Sequence, residues 1–324
     1  MSVTAAEGFV AAGGHCGVKG DGIPDLAIVA TDDGAAVPAA AVFTSNKMTA
    51  APVVVSAQHL AGTAGRAAAV VLNSGNANAA TGQQGEVDAE RMCARTADAV
   101  GCDRLEVLVC STGLIGIPLP IEVIEEGIGK VAAQRSRDGG GDAAQAIMTT
   151  DTRRKEVVIA GDGFTVGGMA KGAAMLAPDM ATMLAVLTTD AAAEPEALKA
   201  ALVAGIETSF NALSVDGCTS TNDTVMLLAS GRAGAVEGGA LAEAVADACA
   251  SLAAQMAGDA EGATKVVRVR VKGAASDGEA LRGARKVAES QLVKCSWYGR
   301  DPYWGRIASD LGTAGVHLDP AVLT

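Results

Sequence analysis

Residues 169–191 read MAKGAAMLAPDMATMLAVLTTDA, and they join a loop of small residues to an apolar run over 183–189. Thr182 stands at the seam between the two. One interpretation is an ordinary strand or helix start, because Pro178 and Asp179 suit the first turn of a helix. The other is that the chain is cut before Thr182, which then becomes a new N-terminus. On the pattern alone, the ordinary element is the preferred interpretation.

A threonine at a chain end carries its own base, because its free α-amine has a pKa of about 7.7–8.0. To create that end, the Oγ of Thr182 would attack the carbonyl carbon of Ala181, and water would then hydrolyse the resulting ester. The attack needs a close approach of the backbone, which small neighbouring residues permit. The loop supplies them as Gly172, Ala173, Ala174 and Ala177.

Short apolar runs bounded by Gly, Asn or Asp predict strands along much of the chain. The predicted strands are 25–30, 39–44, 52–56, 68–75, 105–113, 183–189, 224–231 and 264–273, with a hairpin over 155–170. The predicted helices are 86–101, 194–210 and 238–259, and 135–143 is predicted to be a flexible surface connection. Strand clusters separated by helices predict an α/β layered sandwich, with helices packed on a largely mixed sheet.

The composition excludes several classes of function. The chain has 324 residues and a net charge of −12, and an acidic protein repels phosphate backbones, so we expect no nucleic-acid partner. Seven scattered cysteines without a C-x-x-C pair, and three distant histidines, predict reduced thiols and no metal site. No basic, apolar leader and no bilayer-length apolar run occur, so we expect a cytoplasmic protein without a membrane partner.

The common catalytic and phosphate-binding motifs are also missing. The stretch GIGKV (127–131) lacks the remaining residues of a P-loop. Neither a G-x-G-x-x-G after a strand nor a G-x-S-x-G elbow occurs. Thr182 is therefore left as the candidate nucleophile.

Residues 169–191 closely resemble the signature of the ornithine acetyltransferase family, the glutamate N-acetyltransferases of arginine biosynthesis. Further segments resemble the family in the family's order, and together they cover nearly the whole chain. They are VFTSNKMTAAPV (42–53), VLNSGNANAATG (71–82), VCSTGLIG (109–116), AIMTTDT (146–152), STNDTV (220–225), DAEGATK (259–265) and DPYWGRI (301–307). Such a set is far more specific than any single pattern.

The resemblance implies a self-processing enzyme with a fold like that of N-terminal-nucleophile hydrolases. The precursor would be cut between Ala181 and Thr182 into an α chain (1–181) and a β chain (182–324) that stay together, in an α₂β₂ assembly. Thr182 would take the acetyl group from N-acetylornithine as an ester and pass it to glutamate. No cofactor is implied, although some family members also use acetyl-CoA as a donor.

The resemblance also assigns candidate site residues, each with a plainer alternative. Thr112 and Gly113 match the oxyanion hole, and the alternative is a strand-ending turn. Glu261 matches an acidic residue near the nucleophile that holds a substrate ammonium or tunes the Thr182 amine. The alternative for Glu261 is a solvated loop carboxylate.

Further matches concern substrate binding. Lys171 would pair with a substrate carboxylate, and its alternative is a surface lysine. Thr149 or Thr150 would contact substrate as well. The turn-forming segment 71–82 is interpreted as structural support near the site.

Two departures from the family pattern stand out. Family chains continue beyond the point at which this sequence stops, and Tyr303 stands where the family has asparagine. We therefore keep two alternatives to the acetyltransferase. One is a related self-processed aminopeptidase-type hydrolase, and the other is an incomplete, inactive chain.

Overall fold

The computed structural model describes residues 2–20, 22–176, 183–237 and 239–321. Its strands are β1 Phe9–Gly14, β2 Leu26–Thr31, β3 Val37–Phe43, β4 Arg66–Ala67, β5 Ala69–Asn76, β6 Val107–Leu114, β7 Lys155–Ala160, β8 Thr165–Lys171, β9 Leu184–Ala192 and β10 Thr224–Ala235. Its helices are α1 Ala51–Gly62, α2 Gly82–Val100, α3 Ile121–Ala132, α4 Gly140–Ala146, α5 Pro195–Glu207, α6 Ala240–Ala257, α7 Asp277–Glu289, α8 Gln291–Gly299 and α9 Gly305–Leu311.

Two mixed sheets stack face to face between two layers of helices. One sheet has the order β1-β2-β5-β6, and the other has the order β4-β3-β10-β9-β8-β7. A core of small aliphatic side chains fills the space between the sheets. Helices α2 and α3 cover the outer face of the first sheet, while α5 and α6 cover that of the second. The predicted layered α/β sandwich is confirmed.

Strand β2 shows why the apolar runs are short and continuous. Leu26, Ile28 and Ala30 pack toward α2 and α3, whereas Ala27 and Val29 pack toward the second sheet. Successive side chains of a strand point to opposite faces, so a strand buried on both faces is a nearly continuous apolar run. The strands predicted around 25–30, 39–44, 68–75, 105–113, 155–170, 183–189 and 224–231 are all present, apart from shifts at their ends and the undescribed residues around 182.

The prediction of a strand over 52–56 is wrong, because this segment lies in α1. Pro52 stands in the first turn of the helix, where its missing N–H costs nothing. The Oγ of Ser56 donates to the carbonyl oxygen of Val109 at 2.7 Å and accepts from the N–H of Val109 at 2.8 Å. The helix thereby covers the edge of β6, which would otherwise present unpaired backbone groups.

Two further sequence predictions fail. Residues 264–273 are extended and mostly exposed but form no strand, because no strand of the described residues pairs with them. Residues 135–143 are not a flexible surface connection. Ser136 bridges Ala11 in β1, and α4 begins at Gly140 with a buried face against the same sheet.

Candidate active site

Three strand ends lie side by side at one end of the second sheet. Lys171, the last residue of β8, pairs with Leu184, the first residue of β9. Leu184 in turn pairs with Thr224, the first residue of β10. Ala181 and Thr182 lie outside the described residues. Met183 and Leu184, which follow Thr182 in the chain, lie at this end of the sheet.

Lys171 and Thr112 are brought together although they lie 59 positions apart in the chain. The Lys171 Nζ donates to the Thr112 Oγ1 at 3.2 Å, and both residues are buried. The alternative of a surface lysine is therefore wrong. Burial lowers the pKa of Lys171 to about 8, against the opposing attraction of Asp151. A lysine that titrates so close to neutral pH is typical of a functional site.

Gly113 follows Thr112 at the irregular end of the β5–β6 ladder. Its φ of +137° lies in a region that favours glycine. A Cβ placed on it would lie 2.2 Å from the carbonyl carbon of Gly75. The close backbone approach leaves room for no side chain, which is why the strand needs glycine after Thr112.

We expect Gly113→Ala to lower both stability and activity. The added methyl group must displace the backbone of β5, so the free energy of unfolding should fall by about 2 kcal/mol or more. Denaturant unfolding measures the loss. Gly299→Ala is the control, because a Cβ at Gly299 meets no atom within 4 Å and its φ is not positive. Equal stability of the two variants would contradict the close approach of β5 and β6.

A buried cluster of charged side chains contacts the chain directly after Lys171. The Lys155 Nζ is fully buried and lies 2.6 Å from a carboxylate oxygen of both Asp151 and Asp259. The Asp151 Oδ1 also accepts from the N–H of Gly172 at 2.8 Å. Burial alone would raise the pKa of Asp151, but Lys171, Lys155 and backbone N–H groups lower it below the ordinary value. Asp151 is therefore a carboxylate that fixes the chain directly after Lys171.

The remaining sequence-predicted residues lie around this cluster. The N–H of Thr149 donates to the Asp151 Oδ2 at 3.0 Å, and Thr149 is half-buried whereas Thr150 is exposed. The N–H of Glu261 donates to the carbonyl oxygen of Ala173 at 2.7 Å, which ties its loop to the segment after Lys171. The Glu261 side chain is exposed, and Glu261 lines a cavity of about 600 Å³. Their roles toward substrate stay predictions.

The segment 71–82 makes buried hydrogen bonds next to Thr112. The Asn73 Oδ1 accepts from the Ser111 Oγ at 2.6 Å, one residue before Thr112. The Asn222 Nδ2 donates to the carbonyl oxygens of Ala77 at 2.6 Å and of Ser111 at 2.9 Å. Buried amides thus join the ends of β5 and β6 to the start of β10.

Asp223 is a functional candidate to which the sequence analysis assigned no role. Its Oδ1 accepts from the N–H of Met183 at 2.9 Å, one residue after Thr182. Lys155 and Asp151 were missed in the same way. Asp151 and Asp223 lie inside segments that resemble the family, but an aspartate in a polar segment is usually solvated, so the pattern alone gives no sign of burial.

Within the described residues, no group of three His, Cys, Asp or Glu side chains could hold a metal ion. A search of the same ranges finds no helix that is long and apolar enough to cross a bilayer.

Comparison with known proteins shows which sequences this chain resembles. The chain is 50% identical to the arginine biosynthesis bifunctional protein ArgJ of Streptomyces coelicolor over 321 residues, which cover 99% of this chain and 83% of that protein. It is 50% identical over 329 residues to the protein of the same name from Mycobacterium leprae, covering 99% of this chain and 80% of that protein.

A solved structure supports the fold class. The L-aminopeptidase D-Ala-esterase/amidase of Ochrobactrum anthropi, described as a new variant among the Ntn hydrolase fold, is similar with a TM-score of 0.50. The alignment covers 92% of this chain and 94% of that one at 16% identity, so the likeness concerns the fold alone. The model of the ArgJ family matches residues 10–324. The chain therefore belongs to the ArgJ family.

Proposed function

We propose that this enzyme transfers the acetyl group of N2-acetylornithine to glutamate through an acetyl ester on Thr182. Membership of the ArgJ family, whose members are named for arginine biosynthesis, supports the substrates. The observation that carries the proposal for this chain is the buried hydrogen bond between Lys171 and Thr112. Lys171 pairs with Leu184, which is two residues after Thr182 in the chain.

The nucleophile arises by cleavage of the precursor between Ala181 and Thr182. The Thr182 Oγ attacks the Ala181 carbonyl carbon, the peptide C–N bond breaks, and an ester joins the two residues. Water hydrolyses the ester and frees both the hydroxyl and the α-amine of Thr182. The α-amine then takes the hydroxyl proton when the Thr182 Oγ attacks the acetyl carbonyl carbon of acetylornithine, and it gives that proton to the amine of ornithine, which leaves as the amide C–N bond breaks. The amine of glutamate attacks the resulting ester, and the Thr182 hydroxyl is restored.

Thr112 and Gly113 would stabilise the negative oxygen in each tetrahedral intermediate. The Thr112 hydroxyl accepts a hydrogen bond from Lys171, so its own proton remains available for the developing oxyanion. A donor fixed in a buried environment loses little energy to reorganisation when the charge develops. Lys171 thus acts through Thr112 in this scheme, in addition to any pairing with a substrate carboxylate.

Both products of cleavage contribute strands to the second sheet. Strand β9 follows Thr182 and pairs with β8, which precedes it. Strand β10 pairs with β3. Hydrogen bonds and the apolar layers on both faces of this sheet would hold the 1–181 and 182–324 chains together after cleavage. We further propose the α₂β₂ assembly, a cytoplasmic location and acetyl-CoA as a second acetyl donor.

The test combines a mass measurement with an assay. The intact mass of the precursor is 32.1 kDa, and cleavage before Thr182 replaces it by the masses of residues 1–181 and 182–324. The purified protein is then given acetylornithine with glutamate, with water alone, or with acetyl-CoA and glutamate. Transfer to glutamate supports the proposal, and hydrolysis without transfer would favour an aminopeptidase-type hydrolase instead. A single uncleaved mass would contradict self-processing.

Thr112→Ala is expected to slow cleavage and acetyl transfer together. Removal of one full oxyanion donor lowers kcat by about 10²–10³-fold. The rates are measured by the appearance of the two fragments and by the formation of acetylglutamate. Thr208→Ala is a suitable control, because Thr208 is exposed at the end of α5. Wild-type rates in Thr112→Ala would remove this hydroxyl from the site.

A further inference from the structure

Lys19 lies in a loop whose backbone is fixed next to the candidate site. The buried carboxylate of Asp25 accepts from the N–H groups of Cys16 at 2.6 Å, Gly17 at 3.1 Å and Lys19 at 2.8 Å. The carbonyl oxygen of Asp25 accepts from the N–H of Ser74 in β5 at 2.9 Å. The backbone of Lys19 is therefore held against β5, the strand that pairs with β6.

The Lys19 side chain extends from β5 to the segment that contains Thr149. A Cβ placed on Gly75 would lie 3.0 Å from the Lys19 Cγ, so the aliphatic stem passes over this glycine. The Lys19 Nζ donates to the carbonyl oxygens of Pro24 at 3.2 Å and of Met148 at 2.5 Å. Met148 directly precedes Thr149 in the chain. The ammonium group is thus fixed beside a predicted substrate contact.

Lys19 carries a charge that no carboxylate of the described residues contacts. Only two of its three N–H groups have partners there, and both partners are neutral carbonyl groups. Burial lowers the pKa of Lys19, and the charges of Asp25 and Asp151 oppose the shift. The oxygens of these two carboxylates accept from other donors, among them the Lys155 Nζ and the N–H of Thr149. The third N–H of Lys19 is therefore available to an anion from solution.

Two other lysines lie near Asp151, and both are less accessible than Lys19. Lys155 is fully buried and contacts two carboxylates. Lys171 is only 2% exposed and donates to Thr112. Burial lowers the pKa of Lys171, and the positive charges of Lys155 and Lys19 lower it further, so the three ammonium groups share one region. Lys19, which is half-buried, is the lysine of the three that an entering anion can contact without displacing a protein group.

The two substrates of the proposed reaction differ in the charge of their side chains. Both have an α-carboxylate, but acetylornithine ends in an ammonium group whereas glutamate ends in a second carboxylate. We propose that Lys19 binds the side-chain carboxylate of glutamate and thereby selects glutamate as the acetyl acceptor. The inference deepens the proposed function and rests on it. Because two carbonyl groups already orient the ammonium group, its free N–H can form a charge-assisted hydrogen bond with little loss of side-chain freedom.

Glutamine separates the recognition of charge from the positioning of the loop, because it has the shape of glutamate without its negative charge. The ratio of kcat/KM for glutamate to that for glutamine is measured in acetyl transfer from acetylornithine. We expect Lys19→Met to lower this ratio by about 10-fold or more, as for the loss of one hydrogen bond to a charged group. Lys19→Arg keeps the charge and should retain most of the preference.

A purely structural role predicts a different result. If Lys19 only holds the carbonyl groups of Pro24 and Met148, Lys19→Met should impair both acceptors equally, and an unchanged ratio would overturn the inference. The release of ornithine in the first half-reaction should change much less than the reaction with glutamate, since acetylornithine has no side-chain carboxylate. Lys130→Met is the control, because Lys130 lies on the exposed face of α3 and pairs with Glu126. It should leave the ratio at the wild-type value.

Calorimetric titration tests the binding without the reaction. The wild-type protein should bind glutamate about 10-fold or more tightly than glutamine, and Lys19→Met should bind the two with similar affinity. Equal affinities in the wild type would overturn the inference. A wild-type protein that binds glutamate selectively through Lys19 but transfers no acetyl group would support the inference and contradict the proposed function, so the two failures are distinguishable.

Discussion

Thr182→Ala is expected to abolish both self-cleavage and acetyl transfer. Alanine has no hydroxyl, so neither the ester to Ala181 nor the acetyl-enzyme can form. The loss in transfer rate should be about 10⁴-fold or more, as for removal of a catalytic nucleophile. Intact mass measures the first effect, because the variant should remain a single chain near 32.1 kDa. The formation of acetylglutamate measures the second.

Thr182→Ser separates the hydroxyl from the rest of the side chain. Serine keeps the nucleophilic oxygen, so the variant should still be cut and should still transfer acetyl groups, with altered rates. The exposed residue change Thr208→Ala should leave both reactions unchanged. Acetyl transfer by Thr182→Ala at a rate near that of the wild type would exclude the acetyl-threonine mechanism. Cleavage of Thr182→Ala at the same position would exclude Thr182 as the attacking group.

Local pattern predicts most of the strands in this chain, because a strand buried on both faces is largely apolar. Residues 26–31 and 224–229 are such strands, and both are bounded by turn-forming residues. The same reasoning fails for 52–56, where an equally valine-rich run is helical. Its partner is the edge of β6, which lies about 50 positions further along the chain, and a local pattern contains no information about it.

Helix α3 was not predicted, although the sequence contains a pattern that indicates it. Ile121, Ile124, Ile128 and Val131 recur at helical spacing and form its buried face. Residues 264–273 are the opposite case, because their alternation of valine with basic residues is regular. A strand nevertheless needs a neighbour to pair with, and none of the described strands pairs with them. Alternation predicts that a segment can form a strand, and tertiary structure decides whether it does.

The candidate site residues were identified from the resemblance to a family, and the structure shows the contacts between them. Thr112 and Lys171 were both candidates, but no spacing rule predicts that one donates to the other. Burial decides the role of Asp223 and Lys155, and burial of a charged side chain is the rarer outcome for these residue types. Sequence therefore identifies the segments of such a site more readily than the charged groups that hold those segments together.

Lys155 shows how much of the site depends on a buried charge that is not itself a predicted substrate contact. Its ammonium group is shared by Asp151 and Asp259 and has no exposed surface. Asp151 accepts a hydrogen bond from the N–H of Gly172, which follows Lys171. Asp259, which lies two residues before Glu261, accepts from the N–H of Thr152 at 3.0 Å. One lysine thus connects the segments that contain the predicted substrate contacts.

Lys155→Met is expected to lower the free energy of unfolding by about 3–5 kcal/mol at neutral pH, because it leaves buried carboxylates without their cation. Denaturant unfolding measures the loss. Lys130→Met is the matched control, because Lys130 pairs with Glu126 at 4.0 Å on an exposed helix face. Such a surface pair contributes about 0–1 kcal/mol. The double variant Lys155→Met with Asp259→Asn should recover part of the loss, since it removes one of the stranded charges.

The dependence on pH gives Lys155→Met a distinctive signature. Burial alone would raise the pKa of Asp259, but Lys155 and Thr152 lower it, as Lys171 and Lys155 do for Asp151. A lowered pKa in the folded state stabilises the wild type above the unfolded pKa of about 3.9, and this contribution disappears as the pH falls through the folded value. Without Lys155 the carboxyl groups can protonate at higher pH, which relieves their burial. The difference in stability between wild type and Lys155→Met should therefore be largest near pH 7 and should shrink toward pH 4. A difference that is constant over this range would show that Lys155 stabilises the fold by packing rather than by its charge.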